Sequence, residues 1–292
     1  MITSKKEKPR QTFKEWLREM GTVFAAFLVL NSFGIANFQV PTGSMENEIM
    51  AGDFLIVNKL LFGGTTPRTI PFSDIRIPHF KLPALRSVKR GDPIVFDFPG
   101  YRDEKTAQPF AYYLKRCLAL AGDTLQIIDG KVYVNHTPAP VPRNAVWNHH
   151  KQLSASYADP SIFPPGTNFN DRFYGPIRIP KKGDIVHLSP QNFGEWYTFI
   201  LREHNSIEIK NGALYINDIP SNIYTVKRDY LFAMGDNRDN SLDRRFWGFV
   251  PEEDVIGTPL FVIMSWDPNI AWSNLINKLA SVRPSRIGHI VQ

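Results

Sequence analysis

Short runs of β-branched and aromatic residues, each closed by a turn, recur along most of the chain, and this alternation limits the fold more than any other feature. FLIV at 54–57, PIVF at 93–96 and KVYV at 131–134 are three such runs, and IEI at 207–209, ALYI at 213–216 and LFVIM at 260–264 continue the series. Strands at this spacing predict a mainly β protein, an antiparallel β-barrel or sandwich. The 23 prolines and 19 glycines in 292 residues fit many turns and argue against a helical bundle. A hydrophobic share of 43 % against 21 % charged residues is enough for a core and rules out a disordered chain.

The amino end departs from this pattern. Residues 1–20 carry Lys5, Lys6, Lys8, Arg10, Lys14 and Arg18 against Glu7, Glu15 and Glu19, and an apolar stretch follows at 21–40, broken by Asn31, Ser32 and Asn37. About 20 apolar residues span a bilayer as a helix. The basic flank predicts a cytoplasmic amino end, which puts everything after Val40 on the outer side. Two other readings compete: a cleaved signal, because Gly34 and Ala36 are small residues at the spacing such cleavage needs, and a buried core helix. Lys+Arg 34 minus Asp+Glu 28 gives +6. That spread of charge suits a membrane surface better than a nucleic-acid groove, so lipid is expected as a partner and nucleic acid is not. The single cysteine, Cys117, excludes an intramolecular disulfide and a Cys-based zinc site.

A weak internal echo runs through the β region. TLQIIDGKVYVN at 124–135 resembles SIEIKNGALYIN at 206–217, and KRGD at 89–92 resembles KKGD at 181–184. The echo reads as a duplicated β unit or as two hairpins with the same turn chemistry. Residues 60–88 are apolar but broken by Pro67, Pro71, Pro78 and Pro83, which suits a hairpin resting on lipid or a loop packed on the core. Trp272, Leu275, Ile276 and Leu279 make one apolar helical face, expected to dock on the barrel or lie at the membrane interface. The expected division is a basic cytoplasmic segment at 1–20, an anchor at 21–40 and a catalytic β core at 41–135 and 225–267. An inserted β-rich subdomain at 136–224 and an amphipathic helix with its tail at 268–292 complete it.

Three segments hold the chemistry. Ser44, between Gly43 and Met45 after a Pro41 turn, can present its hydroxyl outward. Lys115 lies within an aromatic and aliphatic strand, where alternation points Arg116 the other way, to solvent or a carboxylate. Burial of Lys115 would disfavour its ammonium and free it to take a serine proton; the competing reading of this segment is a lysine that keeps its head in water. Residues 235–245, GDNRDNSLDRR, are dense in short polar groups next to aromatics and read as an ordered site scaffold. The histidines, His149 and His150 among them, lie outside these segments.

An anchor, PTGSM, KRGDPIVF, KRCLALAGD and GDNRDNSLDRRFWGFVP, in this order, resemble the bacterial type I signal peptidases. The likeness covers roughly residues 15–135 and 225–267. It implies a serine endopeptidase with Ser44 as nucleophile and Lys115 as general base, without metal or cofactor. Ser241 would orient the lysine, and the Ser44 N–H with Thr42 would form the oxyanion hole. Asp243 and Arg245 would be a supporting ion pair, Gly235 and Asp236 would shape a turn, and Phe38, Val40, Met45, Ile49 and Leu114 would line shallow substrate pockets. The implied substrates are secretory preproteins. The implied place is the bacterial cytoplasmic membrane, with a single pass and the catalytic domain on its outer face. Departures from the family pattern are Asn47-Glu48-Ile49 after the Ser-Met pair, Ala119 and Ala121, and Arg244. Two rivals remain: a self-cleaving Ser-Lys protein of the repressor type, which would need a DNA-binding helical module, and an inactive scaffold, against which Ser44, Lys115 and Ser241 weigh.

Overall fold

The β-forming runs at 54–57, 93–96 and 260–264 lie in one sheet of seven strands: β1 (Ile35–Gln39), β2 (Asp53–Asn58), β3 (Pro93–Asp97), β4 (Tyr112–Ala119), β5 (Tyr230–Met234), β6 (Val250–Pro251) and β7 (Val255–Ser265). This computed structural model describes residues 12–65, 78, 80–105, 111–146, 153–238 and 244–292. The spatial order is β1-β2-β7-β3-β4-β5-β6, with every neighbouring pair antiparallel. In a flat sheet β1 and β4 would stand roughly 19 Å apart, at about 4.8 Å per strand. Instead the rings of Phe38 and Tyr112 meet edge to face with centroids 5.2 Å apart, so the sheet is rolled. Val40, Met45, Ile49, Leu55, Val57, Val95, Ile256 and Val262 form one buried cluster, against which Phe38, Tyr112 and Leu114 pack.

β7 makes the roll possible. Its start pairs with β3, and from Thr258 onward it pairs with β2. The register shifts between Val255 and Gly257 on one side and between Pro259 and Phe261 on the other. Gly257 stands where a Cβ would lie 2.3 Å from the Asn58 carbonyl oxygen, so only glycine lets the two strands cross this closely.

The insertion carries its own sheets. Strands 124–128, 131–134, 137–138 and 174–178 form one, strands 207–210, 213–216 and 219–220 a second, and strands 185–187 and 223–225 a third. The sequence echo is one local device used twice. Asp129-Gly130 and Asn211-Gly212 turn the hairpins with positive φ at both residues, as two-residue hairpin turns of the favoured hand require. The boundary expected at residue 136 falls inside the first of these sheets, because strand 124–128 pairs with 174–178.

Two expectations about helices are corrected. α1 runs Phe13–Val29, with Thr12 and Glu15 as a capping box, and continues into a π-turn at Leu30–Gly34. Among the described residues no helix is long and apolar enough to cross a membrane. The helix therefore begins inside the basic segment rather than at residue 21. The end of the expected span is instead strand β1, because its backbone pairs with β2. Two more helices, α2 (Phe193–Arg202) and α3 (Arg244–Trp247), precede α4, a short helix at Leu275–Ala280. Trp272, Leu275, Ile276 and Leu279 are exposed rather than docked on the barrel, Ile276 at 82 %. The side chain that seats this helix is Lys278, which is 3 % exposed. Its Nζ donates to the carbonyls of Asp267 and Ile270 and lies 5.5 Å from the ring centroids of both Trp266 and Trp272. In the Pro-broken stretch, Lys81 Nζ ties the return segment to the core through the Glu253 and Val255 carbonyls. Pro67 and Pro71 lie outside the described residues.

Candidate active site

Between β1 and β2 the chain makes an excursion that is closed at its neck by Val40 N–H to Asp53 O at 2.9 Å and Gly52 N–H to Val40 O at 2.8 Å. Ser44 rides on this excursion. Glu46 N–H returns to Gly43 O at 3.0 Å and Ile49 N–H to Met45 O at 2.8 Å, which coils residues 43–49 into a compact turn. Met45 and Ile49 sink into the core and fasten the turn from below.

Lys115 comes from the middle of β4, opposite Ile94 of β3. Its Nζ stands 2.5 Å from Ser44 Oγ, with the lysine 4 % and the serine 8 % exposed. The Tyr113 ring, two residues back on the strand, lies 5.7 Å from the amine. Burial pushes the Tyr113 phenol up to about 12, so this neighbour stays neutral. The Ser44 N–H makes no hydrogen bond among the described residues, and Thr42 is exposed beside it. This pair can serve as nucleophile and base.

A polar frame behind the pair comes from the segment after β5. Asp236 is fully buried and takes Arg116 from two sides, Nε at 2.9 Å and Nη2 at 2.6 Å, while Arg116 Nη1 also reaches Gly91 O at 2.7 Å. Alternation sent Arg116 away from Lys115 as expected, and its carboxylate partner is Asp236. Asn237 then grips the nucleophile turn. Its N–H donates to Ser44 O at 3.1 Å, and its side-chain amide donates to Gly43 O at 3.1 Å and Glu46 Oε2 at 3.2 Å. Asp236 N–H reaches Met45 Sδ at 3.4 Å.

Of the residues expected from sequence, Ser44, Lys115, Thr42, Gly235 and Asp236 gather here. Arg245 is buried nearby and donates to the carbonyls of Asp171 and Arg238. Ser241 and Asp243 lie outside the described residues, as do His149 and His150. Among the five expected pocket residues, Val40, Met45 and Ile49 are buried, while Phe38 and Leu114 keep surface. Sequence reasoning missed Asn237 as a clamp and Arg116–Asp236 as a pair. The signal available was an Arg beside the lysine and a Gly-Asp-Asn run in the expected scaffold.

Two strand edges meet at this site. β1 is the end strand of the sheet and has no strand on its outer side among the described residues. β4 pairs with β5 from Arg116 onward, and among the described residues no strand flanks Tyr112–Leu114 on that side.

The family model described as "Signal peptidase, peptidase S26" matches residues 13–266. The chain is 28 % identical to "Signal peptidase I" of Buchnera aphidicola subsp. Acyrthosiphon pisum, covering 98 % of this chain and 84 % of that protein. It is 28 % identical to "Signal peptidase I" of Pseudomonas aeruginosa over 90 % of this chain and 76 % of the relative. The protein of the same name from Aquifex aeolicus is 26 % identical over 92 % and 95 %.

Proposed function

The chain belongs to the signal peptidase family, peptidase S26, and from that premise we propose that Ser44 and Lys115 are its nucleophile and general base. Its activity is that of a serine endopeptidase that removes signal peptides, and its substrates are the preproteins that carry them. The observation that carries the site assignment is the 2.5 Å contact between two buried groups, Lys115 Nζ and Ser44 Oγ.

The chemistry follows from this contact. Burial penalises the ammonium form and favours the free amine. The amine takes the Ser44 proton as Oγ attacks the scissile carbonyl. The open Ser44 N–H and the Thr42 hydroxyl face the developing oxyanion, a contribution of about 2.7–4 kcal/mol per donor in other hydrolases. Lys115 then protonates the leaving amine, and the acyl-enzyme remains. The same nitrogen next takes a proton from water, the hydroxide adds to the ester carbonyl, and collapse returns the proton to Ser44. Ser241 is assigned the role of orienting the lysine, and Asp243 with Arg245 that of supporting the frame.

An extended substrate fits along the outer edge of β1 and the Tyr112–Leu114 part of β4, with Phe38 and Leu114 as walls and Val40, Met45 and Ile49 beneath. Small side chains before the cut suit so shallow a space. For location, the proposal is a single-pass bacterial membrane protein with its amino end cytoplasmic and its site on the outer face. The supporting observation is the exposed apolar surface of α1, where Trp16, Leu17, Val23, Phe24 and Phe27 are 48–60 % exposed among the described residues. Protease added to sealed, right-side-out vesicles should digest the catalytic part and spare the amino end; protection of both parts overturns that topology.

Purified Ser44→Ala and Lys115→Ala should each lose preprotein cleavage by at least ~10³-fold with unchanged circular dichroism. Cleavage retained in either variant refutes the assignment.

A further inference from the structure

Glu48 departs from the family pattern, follows Ser44 on the same excursion and is 4 % exposed. Its carboxylate is where three distant segments meet. Oε2 accepts a short hydrogen bond from the Asn144 amide. Oε1 accepts the Gln292 N–H at 2.7 Å and lies 3.6 Å from His289 Nε2. The Glu48 carbonyl accepts Arg286 Nη2 at 2.8 Å, and the same nitrogen reaches Asp53 Oδ2 at 2.6 Å. Asp53 Oδ2 in turn accepts Met50 N–H at 2.9 Å, and Arg283 Nη2 donates to Ala51 O at 2.6 Å. Residues 283–292 are themselves fixed to β7: Gly288 N–H donates to Val262 O at 2.8 Å, Val291 N–H donates to Leu260 O at 2.9 Å, and Ile290 bridges Phe261.

We propose that Glu48 is a positioning residue for the nucleophile, tying the excursion that bears Ser44 to residues 283–292 and so fixing where Oγ stands against Lys115 Nζ. Asn237 holds the excursion from the scaffold side, and Glu48 with Arg286 holds it from the other. Between the two holds Glu46 and Asn47 are exposed, and Asn47 sits at φ 75°, a left-handed conformation that needs fixed neighbours. A carboxylate this buried is tolerated only when its oxygens are partnered, and removing it strands the groups that faced it. With one side released, Ser44 moves relative to the lysine, and about 1 Å of displacement costs on the order of 100-fold in rate. The proposal rests on Ser44 and Lys115 being the dyad.

The test compares full-length Glu48→Ala, Glu48→Gln and Gln292→Pro in preprotein cleavage, with Ser44→Ala alongside and thermal unfolding of each. Glu48→Ala should lower kcat roughly 10- to 100-fold with KM within about twofold. Glu48→Gln keeps an acceptor for the Gln292 N–H and should recover to within about threefold of the parent, because rescue follows the contact rather than the charge. Gln292→Pro deletes that one donor and should lower kcat with an unchanged unfolding temperature. A Glu48→Ala protein whose loss matches its unfolded fraction, or whose KM alone changes, overturns the proposal, as does Glu48→Gln as impaired as alanine. If Glu48→Ala does not fold, parental kcat in Gln292→Pro overturns it. Cleavage persisting in Ser44→Ala instead sinks the dyad assignment.

Discussion

Arg116 and Asp236 form a buried ion pair at the back of the site, 2.6 Å apart, with each carboxylate oxygen engaged. Such pairs contribute little net stability when made but are costly to break from one side. Asp236→Ala should destabilise the protein by about 3–5 kcal/mol in denaturant titrations, since it leaves a guanidinium buried without its carboxylate. The double variant Arg116→Met/Asp236→Leu should recover part of that loss; no recovery would mean the pair is more than a mutual cover. That Ser44 and Lys115 belong together was legible from the order of the strings that hold them, and their polar ends stand 2.5 Å apart. The partners of Arg116 and Glu48 were not. They lie far away along the chain, and alternation along a strand tells which way a side chain points without telling what waits there.

Turns and hairpins were the most readable elements, because their chemistry is local. Four strands or loops are entered through one device, a Gly-Asp pair in which the aspartate accepts the N–H three residues back: Met50 to Asp53 at 2.9 Å, Lys89 to Asp92 at 2.8 Å, Leu120 to Asp123 at 2.8 Å and Lys181 to Asp184 at 3.1 Å. The glycine has positive φ each time, as the third residue of a type II turn demands. Arg178 bonds Asp184 and, against the smaller opposing effect of burial, holds its carboxyl below the ordinary range. Burial pushes Asp123 upward, but Arg90, the Leu120 N–H and Asn135 outweigh it, and that carboxyl also ends below its ordinary range. A carboxyl lowered on folding stabilises above its unfolded pKa of about 3.9 and loses that contribution as pH falls through the lower folded value. Asp123→Asn should therefore be less stable than the parent at neutral pH, and the gap should close as pH drops below about 4. A gap constant with pH would assign the effect to packing. For α4 the sequence left two alternatives, docking on the barrel or lying at the membrane interface; docking is not found, because two tryptophans and two carbonyls house an ammonium and turn the stripe outward.

At the scale of the molecule the inserted sheets and the catalytic sheet share one core. Leu118, Ala119, Phe232 and Met234 from β4 and β5 pack in the same cluster as Leu125, Ile127, Tyr174 and Phe199 from the insertion. Sequence pattern separated the two by a change in composition, and composition does not reveal which strands pack together. Calorimetry on the folded part should give one cooperative transition, and excision of residues 136–224 should leave no folded remainder. Two separable transitions would contradict the shared core. The roll of the sheet has a bearing on timing as well. On the proposed binding mode, a substrate laid along the edges of β1 and β4 must be drawn out straight with its amides uncommitted. A cargo balled up around its own beginning has no such length to offer, so under that mode the leader comes off while its passenger is still slack.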